Sequence, residues 1–219
     1  ADGARSKLRE AAGIVPRTWS YPQSAITTIL AHTRPHRDVS TEFHTRQGPF
    51  TLVPLPGGLR SSLVWVCARP EAERLAALDD SDLAEAAERR AHGMLGGMRI
   101  DGPRGLVPMR GLSVSSSVGN RLVLIGEAAH VFPPIGAQGL NMSLADIAAL
   151  VELMQDDPGN AAALDRFNRT RRPEAVLRVM GIDALNRASM VGVRPLRDIR
   201  AAALGGLYAF APIRRTLMR

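Results

Sequence analysis

Residues 121–153, RLVLIGEAAHVFPPIGAQGLNMSLADIAALVEL, constrain the fold more than any other part of the chain. The stretch opens on a short apolar run, Leu122-Val123-Leu124-Ile125, whose length and composition predict a buried strand. Gly126 ends that run, and a turn-rich segment follows with Pro133, Pro134, Gly136 and Gly139. From Leu140 onward the apolar positions Leu140, Leu144, Ile147, Ala148 and Val151 recur at helical spacing, so a helix begins near Gly139. A strand, a glycine-rich turn and a helix N-terminus in that order make a receptor for a polar or anionic group. Unpaired backbone N–H groups and the positive end of the helix dipole converge there, and glycine lets a ligand approach the backbone closely.

The residue types make the reading more specific. Gly126-Glu127-Ala128-Ala129-His130, then Pro133-Pro134, then Gly136-Ala137-Gln138-Gly139-Leu140-Asn141 resemble the second flavin motif of the FAD-dependent aromatic hydroxylases. The resemblance is to the branch of ubiquinone-biosynthesis hydroxylases in particular. The opening Ala1-Asp2-Gly3-Ala4-Arg5-Ser6-Lys7-Leu8-Arg9 is similar to the DG motif of the same family, Gly-Ala-Asp-Gly followed by Ser and Arg, which lies beside the FAD pyrophosphate and is also linked to nicotinamide-nucleotide binding. The run Phe50-Thr51-Leu52-Val53-Pro54-Leu55-Pro56, with Leu63-Val64-Trp65 after a Gly57-Gly58 turn, resembles the middle sheet of that branch. Phe167 with Arg169 to Pro173 resembles its YxxxRRP element, with Phe in place of the commoner Tyr.

The resemblance implies an α/β fold: part of an FAD/NAD(P)-binding Rossmann-like domain, a β-rich substrate domain and a C-terminal helical tail. It divides the chain into 1–20 (DG motif), 21–118 (substrate domain), 119–158 (second flavin motif) and 159–219 (helical region). It implies FAD held by Asp2, Gly3, Arg5, Gly126, Glu127, Gly136, Gly139, Leu140 and Asn141. Pro133 and Pro134 are the implied catalytic pair, set against the flavin ring near its oxygen-reacting position. Glu127 stands where aspartate is commoner; it keeps the acceptor and adds a methylene. NAD(P)H as reductant and an aromatic substrate, a polyprenylated phenol of ubiquinone biosynthesis, follow from the same resemblance. No strand followed by GxGxxG occurs in the sequence, so the chain matches the later part of the family's sequence, as a C-terminal fragment unable to hold FAD tightly would. Two alternatives stay open: a hydroxylase of a soluble aromatic acid, anchored by Arg46, Arg60 or Arg110, and a truncated interaction protein without flavin.

Composition limits the other readings. The single cysteine, Cys67, excludes a disulfide framework and suggests a reducing compartment. The net charge is +7, but residues 166–219 alone hold twelve arginines against Glu174, Asp183 and Asp198, an excess of +9, and the remainder is at −2. Aromatic content of 4% and the absence of a recognition motif argue against nucleic-acid binding. Instead, the basic residues 194–219, with Leu196, Ile199, Ala203, Leu204, Leu207, Phe210 and Ile213 among them, predict either a tail packed on its own domain or contact with a membrane surface or a ubiquinone-biosynthesis protein complex. The expected location is the cytoplasm, peripheral to the inner membrane. His130 has no partner evident in the sequence and reads as a structural residue. No spacing of ligands for a metal stands out.

Overall fold

The computed structural model describes residues 1–45, 48–134, 138–155, 157 and 159–190. The expected contact of residues 194–219, the cofactor contact at Gly136 and the anchor at Arg46 fall outside the described residues.

Ser6 starts the short helix α1 (Lys7–Ala11) by accepting a hydrogen bond from the Arg9 N–H at 3.0 Å. The strand β1 (Pro16–His32) then runs the length of the molecule, rich in β-branched residues from Ile26 to Ile29. It is followed by β2 (Thr41–Thr45), β3 (Gly48–Pro54) and β4 (Arg60–Ala68), the last two joined through Gly57 and Gly58, both at positive φ. Two helices come next, α2 (Arg69–Ala76) with Pro70 in its first turn and α3 (Asp80–Arg90). The sequence points to Asp80, Ser81 or Asp82 as the cap of α3; Asp79 takes that place, accepting from the Asp82 N–H at 2.8 Å. Then follow β5 (Met98–Ile100), β6 (Gly105–Val114), the two-residue ladder of β7 (Val118–Gly119) with β8 (Leu122–Val123), and β9 (His130–Val131). Two helices complete the described chain: α4 (Gln138–Leu153) and α5 (Ala161–Met190), the latter carrying Pro173 within it.

Helix and sheet mix as the sequence implies, and every strand pairing among the described residues is antiparallel. The main sheet has the order β2-β3-β4-β1-β6-β9, with β5 continuing the line of β6 along β1. Central β1 pairs β4 from Gln23–Ala68 to Ala31–Arg60. On its other side it pairs β6, with a register shift between Ser20 and Ser24 opposite Pro108. Tyr21, Pro22 and Gln23 lie within the shift, and Pro22 cannot donate to a ladder. Ile26, Leu30, Phe50, Leu52, Leu63, Trp65 and Cys67 form one face of the sheet, closed by Ala72, Leu75, Leu83 and Ala87 of α2 and α3. Burial pushes the Cys67 thiol up to about 11, so it stays protonated as a core residue. The opposite face holds Tyr21, Ala25, Val66 and Met109, where Asn186 of α5 donates to Gln23 at 3.1 Å.

The run 122–125 departs from the sequence reading. Only two of its residues are in a strand, and Leu124 alone is fully buried. α4 runs where the helical spacing places it. Leu140, Leu144, Ile147 and Val151 are between 43% and 70% exposed, and the helix turns Met142 and Asp146 inward.

Candidate functional site

The site is built around a reversal of the chain between β8 and β9. Ile125 is extended, Gly126 sits at φ +61, and residues Gly126–Ala128 form a single 3-10 turn closed by the Ala129 N–H to the Gly126 carbonyl at 2.9 Å. A side chain at Gly126 would be strained by that φ, and its Cβ would lie 3.2 Å from Ser143 Oγ on α4. The glycine therefore does two things: it reverses the backbone and lets α4 approach the turn. β9 then pairs Val131 with Leu112 and His130 with Ser113 of β6, which fixes the turn on the sheet edge.

Between this turn and the start of α4 lies a cleft of about 320 Å³, lined by Glu127, His130, Val131, Phe132, Gly139, Leu140 and Ser143. Three residues singled out from the sequence, Glu127, Gly139 and Leu140, thus meet in one place, with Gly126 directly behind them. Glu127 is exposed and offers a carboxylate to the cleft. A helix has N–H groups without an intrahelical acceptor at its start, and those of Gly139 and Leu140 are among them, whereas the N–H of Asn141 falls in the first bonded turn. The space beside Gly139 is open, with nothing within 4 Å of where its Cβ would stand. Gly139 has no positive φ, so its backbone conformation does not call for glycine. Pro133 is buried and Pro134 exposed on the segment leading to α4.

The DG segment reaches the same turn through Arg9, the last residue of the motif. Arg9 is buried in α1; its Nη1 donates to the Ala128 carbonyl at 2.9 Å and its Nη2 to the Ala4 carbonyl at 2.9 Å. One guanidinium thereby ties residues 1–6 to the turn more than a hundred positions later. Gly3 holds φ +85, while the Asp2 carboxylate accepts from the Leu8 N–H at 3.3 Å. A hydrogen bond from Ser6 lowers the Asp2 pKa, so the carboxylate serves the start of α1. Arg5 is exposed. Beside this junction a second cleft, of about 390 Å³, is lined by Ala4, Arg9, Trp19, Arg69 and Arg110. Arg60, by contrast, is held by Asp101 at 2.7 Å.

His130 does have a partner. Its Nε2 lies 3.2 Å from Asp146 Oδ2, and Arg171 Nε donates to Asp146 Oδ1 at 2.8 Å. All three side chains are nearly enclosed. Arg171 also pairs with Glu174, which Arg178 reaches at 2.8 Å. Burial pushes the Asp146 carboxyl up, but the hydrogen bonds from His130 and Arg171 outweigh it and hold its pKa below the ordinary value. The His130 ring stacks on Phe132 with centroids 5.9 Å apart. The proline segment is thus clamped to α4 and α5 by charge. Sequence reasoning sees Arg169 to Pro173 as a motif but finds no role for Asp146, because the partners lie on separate elements.

Residues 1–180 match the family described as FAD binding domain. The chain belongs to that family. Among curated relatives of this FAD binding domain chain is "Ubiquinone hydroxylase UbiL" of Rhodospirillum rubrum, 36% identical over 225 aligned positions that cover 100% of this chain and 52% of that protein. Another is "Ubiquinone biosynthesis monooxygenase COQ6, mitochondrial" of Mus musculus, 27% identical, covering 100% of this chain and 54% of that protein. The chain spans about half the length of the curated relatives it matches. Among solved structures, p-nitrophenol 4-monooxygenase PnpA from Pseudomonas putida superposes with a TM-score of 0.73 at 16% identity, over 99% of this chain and 56% of that one. The Diels-Alderase PyrE3 gives 0.71 at 20% identity, over 100% and 48%. At those identities the likeness speaks for the fold alone, and the fold carries more than one chemistry.

The described residues fit FAD on one side. The cleft at α4 joins unpaired N–H donors, an open glycine edge and an exposed carboxylate acceptor, a donor and acceptor set suited to a flavin's carbonyl edge and polyol chain.

Proposed function

We propose that this chain is part of an FAD-dependent monooxygenase that hydroxylates the aromatic ring of a ubiquinone precursor with NAD(P)H and O2. The observation that carries the reading is the cleft in which Glu127 faces the N-terminal turn of α4 across open space at Gly139. The names of the relatives, ubiquinone hydroxylase and ubiquinone biosynthesis monooxygenase, support the substrate class. FAD bound there would supply reduction by NAD(P)H and activation of O2.

The chain's own residues supply position and field. The free N–H groups of Gly139 and Leu140 at the start of α4 put the positive end of the helix dipole at the cleft, where it would stabilise negative charge as an oxyanion hole does. Glu127 accepts hydroxyl hydrogen bonds, and His130, Val131 and Phe132, which lead into Pro133-Pro134, form a wall whose placement His130 secures through Asp146. Arg9, Arg69 and Arg110 give the neighbouring cleft a cationic lining, which supports an anionic dinucleotide as the reductant.

Flavin titration of the intact gene product tests the reading. Glu127→Ala should weaken binding by about 1–3 kcal/mol, the loss of a charge-assisted acceptor. Wild-type affinity in that variant removes Glu127 from the site. An intact product that binds no flavin, or that oxidises no NAD(P)H with flavin bound, sinks the proposal as a whole.

A further inference from the structure

A separate cavity of about 610 Å³ opens between the start of β1, the end of β6 and the second half of α5. Its volume lies in the range of sites for small organic ligands. The α5 wall is apolar, formed by Val176, Val179 and Met180, and the sheet wall is the indole of Trp19. That ring is fixed as a flat surface. It lies across Gly111 so closely that a Cβ there would stand 2.0 Å from its Cε2. Its N–H donates to the Tyr21 hydroxyl at 2.6 Å, and the hydroxyl donates to Asp183 at 2.7 Å. Burial pushes Tyr21 up to about 12, so the hydroxyl keeps the proton it donates. Arg187 closes the chain on Asp183 at 2.9 Å.

The polar groups of the floor are therefore satisfied among themselves, and the cavity offers an incoming molecule mainly apolar and aromatic surface. Beyond those groups the lining holds the small hydroxyls of Ser113 and Ser115 and two cations, Arg17 and Arg172. Both line the cavity and are exposed, and neither makes an ion pair among the described residues; Arg17 stands 6.0 Å over the Trp19 ring. An uncharged apolar molecule would leave two guanidinium groups unanswered, and a small hydrophilic anion would leave the walls wet.

We propose that this cavity is a binding site for a single amphipathic anion, an apolar or aromatic body lying on Trp19 with a carboxylate or similar head between Arg17 and Arg172. It goes beyond the cofactor reading, and its residues lie outside the cleft at α4.

Calorimetric titration of the full chain with octanoate, and with octanol as the uncharged match, tests it. Octanoate should bind saturably at one equivalent and more tightly than octanol. The double variant Arg17→Gln/Arg172→Gln, both surface positions whose replacement leaves thermal unfolding in place, should weaken octanoate roughly three- to tenfold and leave octanol unchanged. Absence of saturable octanoate binding overturns the proposal, as does equal affinity for the two probes or indifference to the double variant. Sedimentation with phosphatidylglycerol vesicles that the double variant abolishes, when octanoate itself does not bind, assigns the arginines to a lipid surface and likewise overturns it.

Discussion

Asp146 shows how much a single side chain can carry here. It receives His130 from the proline segment and Arg171 from α5, in a place that water barely reaches. Asp146→Ala would leave Arg171 with Glu174 alone and His130 without its acceptor, and should cost about 1–3 kcal/mol, read as a fall in thermal midpoint. The carboxylate's pKa is lowered by folding, so its contribution is present above the unfolded value of roughly 3.9 and is lost as pH falls through the folded one. Unfolding free energies measured from pH 7 down to pH 3 should therefore drop more steeply for the wild type than for Asp146→Asn. Parallel curves would place the acid sensitivity in another group. The proline segment bears on the proposed cofactor cleft, so the same ion cluster links stability to the shape of that cleft.

At the scale of the element, α4 runs where its sequence predicts a helix and carries its apolar stripe on an exposed face. The apolar stripe Leu140, Leu144, Ile147, Val151 faces outward, while Met142, at 1% exposure, and Asp146 face the sheet edge. Substitutions on the two faces should separate cleanly in this chain. Met142→Ala removes a buried side chain and should cost about 2–5 kcal/mol, whereas Leu144→Gln should stay within about 0.5 kcal/mol. Denaturant titration of both variants decides it; a large loss at Leu144 would mean that the stripe is covered. Periodicity predicts where a helix runs and that it has an apolar face. It does not say which face meets the rest of the chain, and here a buried ion cluster, not the stripe, sets the rotation of α4.

Across the whole molecule, stability is unevenly distributed. The face of the sheet under α2 and α3 holds thirteen buried residues in one cluster, while the turn carrying the candidate site rests on five: Leu112, Val114, Leu124, Ala128 and Ala129. Native-state hydrogen exchange should follow this division. Amides in the β1–β4 ladder should open only with global unfolding, and the amide bonds between β9 and β6 should open locally and sooner. Equal protection at the two places would contradict the division. A binding region seated on the less stable end can adjust to a ligand without disturbing the core.

Much of this was written in the local sequence. Gly126 reverses the chain at φ +61 where a side chain would be strained and would crowd Ser143, Gly57-Gly58 turns a hairpin, and α4 starts near Gly139. These are properties of a residue and its immediate neighbours, so they survive without a fold. The tie from Arg9 to Ala128, the ion cluster of His130, Asp146 and Arg171, and the platform that Gly111 makes for Trp19 were decided only by the tertiary structure. Each joins groups on different elements, and the identity of a charge or a glycine says nothing about which distant group will lie within 3 Å of it until the sheet has brought them together.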